Sequence, residues 1–495
     1  MGDAPISKEN QQTLPTRVSG PTRRVFLTGS AAAVGAVGGG LATPAGAAFI
    51  GGPLDQGEDW PDGPGTANGP QAPDAELRAI LADVDEKNVR AIVEKLVSFG
   101  TRHTLSSQDD PKRGIGAARD WIFSELKKYA SRSQGRMTVE KQSFVQPVSN
   151  RIPAPTTITN VIATLHGSEN SKRTYVVSGH YDSRVTDVMN STADAPGADD
   201  DASGVAVAME LARVMATHAP EATIVFAAVA GEEQGLYGST HMAQTFKDAG
   251  TDIQGMFTDD IVGSSTADDG TRDPFSVRLF AEGVPTDETE AEANTRRSLG
   301  GENDSPARQL ARFVTEVADN NQTGMRVRVI YRRDRYLRGG DQIPYLERGY
   351  PAARFTEPNE NFAHQHQDVR VENGQRFGDL PQFCDFAYIA RVAKVNGAAL
   401  WSLANGPGTP KDVGINTANL TNDTELSWAA NTEADLARYE VVWRPTIQDD
   451  WTNVIDAGTA TRKVVDLSKD NVFFGVRAVD TAGHRSPVAF PVPKS

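Results

Sequence analysis

The chain has 495 residues, 38% of them hydrophobic, a net charge of −15 and one cysteine, Cys384. That length supports two or three domains and a sizeable core. The acidic balance, with no Lys/Arg-rich block, excludes nucleic acid and an anionic membrane surface as partners, and a lone cysteine excludes an intrachain disulfide.

Residues 1–48 read as an export signal. Arg23-Arg24 stands before Val25-Phe26-Leu27 as a twin-arginine motif, an Ala/Gly-rich apolar run follows, and Ala45-Gly46-Ala47 is a small-x-small cleavage site. The run is too rich in glycine, and broken by Pro44, to span a bilayer well. The expectation is a secreted protein with no stable membrane anchor. Residues 49–75 are rich in Gly, Pro and Asp and read as a flexible linker.

From Ala75 apolar residues recur at helical spacing, through Leu77, Ile80, Leu81, Val84, Val89, Ile92, Val93, Leu96 and Val97. Another helix is expected over 116–130, and alternating strands over 137–145 and 157–165. The stretch from Tyr175 to Gly235 organises the rest. One apolar run ends in His180-Tyr181-Asp182. A turn carries Asp199-Asp200-Asp201 into a helical pattern, and a second apolar run ends in Glu232-Glu233. Strands at 253–258, 276–280, 325–330 and 352–355 then alternate with helices at 240–249, 306–318 and 382–398. The acidic, turn-rich segment 267–306 reads as a surface insertion. This alternation predicts an α/β domain over 76–404, a mixed, mostly parallel sheet with helices on both faces. Residues 405–495 show short alternating strands with no helical period, which predicts an all-β sandwich.

Ligands in such sheets sit beyond the carboxyl ends of the strands. One histidine and several carboxylates meeting there have the composition of a zinc site. Taken singly, Asp199–Asp201 is an N-cap run and Glu232-Glu233 a solvated pair; only their order along the chain argues for chemistry. No HExxH and no GxSxG occurs, so a single-zinc helix site and a serine elbow are unsupported.

The motifs GHYDS, PGADDDASG, GEEQGLYGS, TDDIVG and HQHQD, in that order, resemble the secreted co-catalytic zinc aminopeptidases, the leucyl-aminopeptidase-type metallopeptidases, over residues 76–402. The resemblance implies two Zn²⁺, with His180 on one and His364 on the other, Asp200 bridging, and Glu233 and Asp260 as further ligands. It implies Glu232 as general base and Asp182 as the orienter of His180. Asp199 and Asp201 flank Asp200, Asp259 precedes Asp260, and His366 competes with His364. The family's spacing selects the middle aspartate, Asp260, and the histidine four residues before Asp368. Tyr336, in the basic segment 332–342, is a candidate oxyanion partner. The implied reaction is hydrolysis of the N-terminal bond of peptide or protein substrates. Alternatives are a dipeptidase or carboxypeptidase, a glutaminyl-cyclase-like relative with one zinc, and a non-catalytic protein that holds peptide or cell wall. Residues 405–495 resemble a fibronectin type III domain, with Trp428 as core tryptophan and no tyrosine near Val472. Such a module fits a spacer, a surface-binding arm or a lid.

Overall fold

The computed structural model describes residues 61–168 and 173–494; the export-signal residues lie outside them. Strand Arg173–His180 is buried along its whole length, and so is nearly all of Thr223–Val229. Alternate residues of a strand face opposite sides of a sheet. Tyr175, Val177, Ile224, Phe226 and Ala228 accordingly join one apolar core. Val176, Val225, Ala227 and Val229 join another on the opposite face. The first core is completed by helices Ala75–Ala82, Glu86–Val97, Ile115–Ala130, Ala202–Met215 and Phe386–Asn405. The second is completed by helix Tyr237–Asp248 and the short helix Ile343–Leu346. Both faces of the sheet are therefore covered by helices, as doubly buried strands require.

The sheet has eight strands, in the order Met137–Gln146, Thr156–Leu165, Thr223–Val229, Arg173–His180, Asp252–Asp259, Ala352–Thr356, Ser276–Phe280 and Arg326–Ile330. The four strands from Thr223–Val229 to Ala352–Thr356 run parallel. Antiparallel pairings bound them on either side. Four strand ends thus open on one edge, those of His180, Val229, Asp259 and Thr356.

The helical period after Ala75 resolves into two helices. Asp85 caps the second through the Lys87 N–H, and its own N–H donates to Glu210. In the segment 267–306, helix Glu290–Leu299 has no buried residue and carries a complete capping box from Thr289 to Glu292, a local device that holds a surface helix.

Beyond Asn405 the chain builds two four-stranded sheets around Trp428, Tyr439, Trp443 and Phe474. One of them contains Thr66–Ala67, paired with Asn453–Val454. The lead-in read as flexible is therefore ordered from residue 61 onward. It lies along the β-sandwich, where Trp443 Nε1 donates to the Pro64 carbonyl and Arg477 donates to Asn68. The α/β sheet and the sandwich share one compact unit. Among the described residues no helix is long and apolar enough to cross a membrane.

Candidate metal centre

Gly179 immediately precedes His180, and a side chain there would lie 2.3 Å from the backbone of Gly204 and Val205. Only glycine lets helix Ala202–Met215 press its first turn against this strand end. Asp201 locks the contact. It caps the helix by accepting from the Gly204 N–H, and it also accepts from the His180 N–H, both at 2.9 Å. Asp199 turns inward and accepts from the Gly263 N–H. Asp379 takes the N–H groups of both Asp199 and Asp200 at 2.8 Å. The Asp200–Asp201 peptide is cis. Of the three aspartates only Asp200 is left to face the strand ends.

Its two oxygens point to different histidines. Oδ1 lies 3.1 Å from His180 Nε2, and Oδ2 lies 2.8 Å from His366 Nε2. Asp260 Oδ1 is 3.9 Å from His180 Nε2, and Glu233 Oε1 is 3.0 Å from His366 Nε2. Two triads result, His180–Asp200–Asp260 and Asp200–Glu233–His366, each with donor atoms within 4.8 Å of one another. Tetrahedral zinc, with bonds of about 2.0–2.1 Å, places its donors roughly 3.3 Å apart; the 3.1 and 3.9 Å of the first triad bracket that spacing, and the 2.8 and 3.0 Å of the second lie just below it. Glu233 Oε1 is buried with no hydrogen bond beyond its ion-pair contact to His366, and a cation would satisfy it. Each triad has the donor types that suit zinc, and Asp200 is common to both.

His180 Nδ1 lies 3.1 Å from the Asp182 carbonyl. A carbonyl only accepts, so the proton sits on Nδ1 and Nε2 offers its lone pair to the centre. The Asp182 carboxylate is farther, at 3.7 Å. It accepts instead from the Glu232 and Glu233 N–H groups and from Thr104 Oγ1. Asp182 thus orients His180 through its backbone and the Glu232–Glu233 turn through its side chain. That turn begins at Gly231, in the left-handed region, and aims the two adjacent carboxylates differently: Glu233 joins a triad, while Glu232 stays partly exposed beside it. Burial pushes the Glu232 carboxyl well above the ordinary range. Its carboxylate neighbours Glu233, Asp260 and Asp341 add to that rise, and His180 opposes it.

The expectation for His364 is corrected here. Its ring stacks on Phe383 at 3.7 Å and belongs to neither triad. His366, two residues on, has a left-handed backbone with φ of 57°, and this turn swings its ring onto Asp200 and Glu233. Burial works against the charged imidazolium of His366, but Glu233 and Asp200 outweigh it and raise its pKa to about 10. Tyr336 is corrected as well. It is 80% exposed, with its ring against Arg332 at 3.9 Å.

Three groups at the centre carry no motif in the sequence. Asp341 is fully buried and neither of its oxygens accepts a hydrogen bond; the nearby Ser239 hydroxyl donates to Leu236 instead. Burial, with Asp260 and Asp182 adding to it against His180, pushes Asp341 up to about 7. Arg184 touches Glu233 and His366. Arg354 touches Asp260. Asp341 lies in the unusually basic segment 332–342, and nothing in the sequence marked Arg184 or Arg354.

Residues 160–373 match the family model described as Peptidase family M28. A "Probable zinc metalloprotease" of Pyrenophora teres f. teres is 58% identical over 426 residues, 86% of this chain and 88% of that protein. One from Leptosphaeria maculans is 57% identical over 422 residues, 85% of this chain and 98% of that protein. Among solved structures, the Legionella pneumophila LapA aminopeptidase is similar at 19% identity and a TM-score of 0.47, over 67% of this chain and 75% of that one. The Porphyromonas gingivalis glutaminyl cyclase is similar at 16% identity and a TM-score of 0.41, over 64% and 97%.

Proposed function

Because the chain belongs to peptidase family M28 and is a zinc metalloprotease, we propose that it is an exo-acting aminopeptidase that uses two zinc ions. The observation that carries this reading is the sharing of Asp200, one oxygen to each triad. When bound, zinc supplies Lewis acidity to the scissile carbonyl and lowers the pKa of water. The chain's own residues do the rest. Asp182 fixes the turn that presents Glu232. Glu232 takes the proton from the attacking water and passes it to the leaving amine; its raised affinity for a proton suits that double role.

Two carboxylates, Glu232 and Asp341, lie at the centre beyond those the triads use. A carboxyl group left over from the metal triads can accept from the free α-ammonium of a peptide, and Asp341, with both oxygens unpartnered, supports cleavage from the N-terminus in that way. We also propose twin-arginine export, on the strength of Arg23-Arg24 and Ala45-Gly46-Ala47, and a fibronectin-like role for the sandwich as a rigid spacer or surface-binding arm.

The test is zinc content together with hydrolysis of leucine p-nitroanilide and its N-acetylated form. Two zincs, turnover of the free amine alone, and a drop of about 10²–10⁴-fold in Glu232→Gln with zinc retained are expected. Equal turnover of the acetylated substrate would remove the exo-acting reading. One zinc with no amidase activity would favour a cyclase-like chemistry.

A further inference from the structure

The short segment 332–338 carries four arginines and one aspartate, in a chain whose net charge is −15. It leads directly into Asp341 and is fastened to the metal centre on the way. Arg335 and Arg354 both donate to the Gly339 carbonyl, at 3.3 and 2.9 Å. A side chain on Gly340 would lie 3.3 Å from Asp260 Oδ2. From this end of the segment Arg338 reaches across to the loop that carries His366. Its Nη1 donates to Glu360 Oε2 at 2.7 Å and its Nη2 to the Gln365 side chain at 3.2 Å, and Gln365 immediately precedes His366.

Glu360 gathers three guanidinium groups: Arg338, Arg335 at 3.2 Å and Arg278 at 3.3 Å. Arg335 also meets Asp334 at 3.1 Å, which Arg354 shares at 3.6 Å. Arg354 meets Asp260 as well, a carboxylate that belongs to a metal triad. On this wall four arginines therefore face two carboxylates of its own, Glu360 and Asp334. Burial works against a charge on Glu360, yet Arg335 and Arg338, with Gln365 and Arg354, hold its carboxyl down at about 2. Fastening two loops together takes one guanidinium per carboxylate, so the surplus asks for another partner. It is within reach of solvent, since the Arg338 and Arg278 side chains are 32% and 20% exposed. Arg278 and Glu360 also line a cavity of about 470 Å³ with Asn359, Phe362 and the exposed Asp268 and Asp269, whose charges solvent screens.

The α-ammonium and the side chain of a peptide's first residue leave the same carbon. With the ammonium on Asp341, that side chain lies beside the wall of Arg338 and Glu360. Resting on the aminopeptidase reading above, we propose that this wall receives the side chain of the substrate's first residue and that the enzyme prefers an acidic one, aspartate or glutamate, with Arg338 as the specificity-determining contact. A guanidinium matches a carboxylate through two parallel N–H donors. An aliphatic side chain in the same place would strip water from the surplus cations and give them no partner, which costs free energy. Glu360 repels an incoming carboxylate, but the guanidinium groups around it outnumber it three to one.

The experiment compares kcat/KM of the zinc-loaded full chain on the p-nitroanilides of glutamate, linked through its α-carboxyl, and of glutamine, which has the same size and no charge. The glutamate-to-glutamine ratio is read within one preparation, so it does not depend on how much of a variant folds. Wild type is expected to favour glutamate by about 10- to 100-fold, the worth of hydrogen bonds to a charged group. Arg338→Gln should bring the ratio down toward one, and Arg338→Lys, which keeps the charge and loses the fork, should fall between. Glu360→Gln removes the opposing carboxylate and should raise the ratio, an effect of opposite sign. A wild-type ratio of one or less, a ratio unchanged in both Arg338→Gln and Glu360→Gln, or a preference for Leu-Glu over Leu-Gln amides with none at the first residue would overturn the proposal while leaving the aminopeptidase reading intact. A zinc-loaded chain that hydrolyses no unblocked amino-acid anilide, leucine included, would instead overturn the reading on which it rests.

Discussion

His364 and His366 are two residues apart, and zinc content separates their roles. His366→Ala removes the imidazole of the Asp200–Glu233–His366 triad. It is expected to lose one zinc and at least 10²-fold in hydrolysis. His364→Ala removes a ring that only stacks on Phe383 and should keep both zincs. Loss of zinc in the His364 variant, measured by elemental analysis of the purified chain, would reinstate the spacing argument. That argument failed for a physical reason. A ligand is chosen by the direction of its side chain, and the left-handed backbone at His366 turns that direction within one residue. Asp200 was picked by the family's spacing, and the tertiary structure turns its neighbours away: Asp201 caps the helix and Asp199 accepts from Gly263.

At the scale of elements, the centre depends on how closely helix Ala202–Met215 approaches strand Arg173–His180. Gly179→Ala puts a methyl group within 2.3 Å of the helix backbone. Backbone cannot rotate aside, so the helix must move. Overpacking of this kind costs about 1–3 kcal/mol, and here it also separates Asp200 from His180. Denaturant unfolding should show that loss of stability, and zinc affinity should fall with it. A variant with wild-type stability and zinc content would refute the close-approach argument. The elements themselves were largely readable, since strand Ser276–Phe280 and helix Pro306–Ala318 fall where periodicity placed them. The single period after Ala75 was not, because Asp85 restarts the helix by capping, and a cap leaves the apolar spacing intact.

At the scale of the whole molecule, the sandwich is fastened to the α/β domain by buried charge. Asp304 accepts from Arg444 at 2.7 and 2.9 Å and from Arg312 at 3.1 Å, and all three side chains are nearly inaccessible to solvent. Asp304→Ala leaves two buried guanidinium groups without their carboxylate. Breaking such a network costs about 3–5 kcal/mol, to be read as a fall in unfolding free energy. A change within 0.5 kcal/mol, the range of ordinary surface substitutions, would show that the two parts are held by other means.

The lead-in adds a pH-dependent fastening. His484 bridges Asp480 and Asp74 at 2.8 and 3.1 Å. Its bond to Asp480, against the opposing effect of burial and with help from Asp74, raises its pKa from 6.5 to about 9. A folded-state pKa above the unfolded one stabilises the protein fully below pH 6.5. That contribution fades as pH rises through about 9. Hydrogen-exchange protection over residues 61–74, taken relative to the base-catalysed intrinsic rate, should therefore fall between those values in the wild type. It should show no such step in His484→Gln, and a wild-type protection that does not change with pH would exclude the bridge.

The sequence by itself determined the order of the elements and the change of character near residue 405. It also placed the acidic and imidazole residues at strand ends, because apolar periodicity and chain termination are local properties. Tertiary structure decided what local spacing cannot carry. It selected His366 over His364 and gave the Asp182 carboxylate to the N–H groups of the Glu232–Glu233 turn. It also brought Asp341, Arg184 and Arg354 to the centre, and tied the lead-in to a sheet nearly 400 residues away. Each of these depends on where side chains point once distant strand ends meet, and that direction is set by packing between segments that share no neighbourhood in the chain.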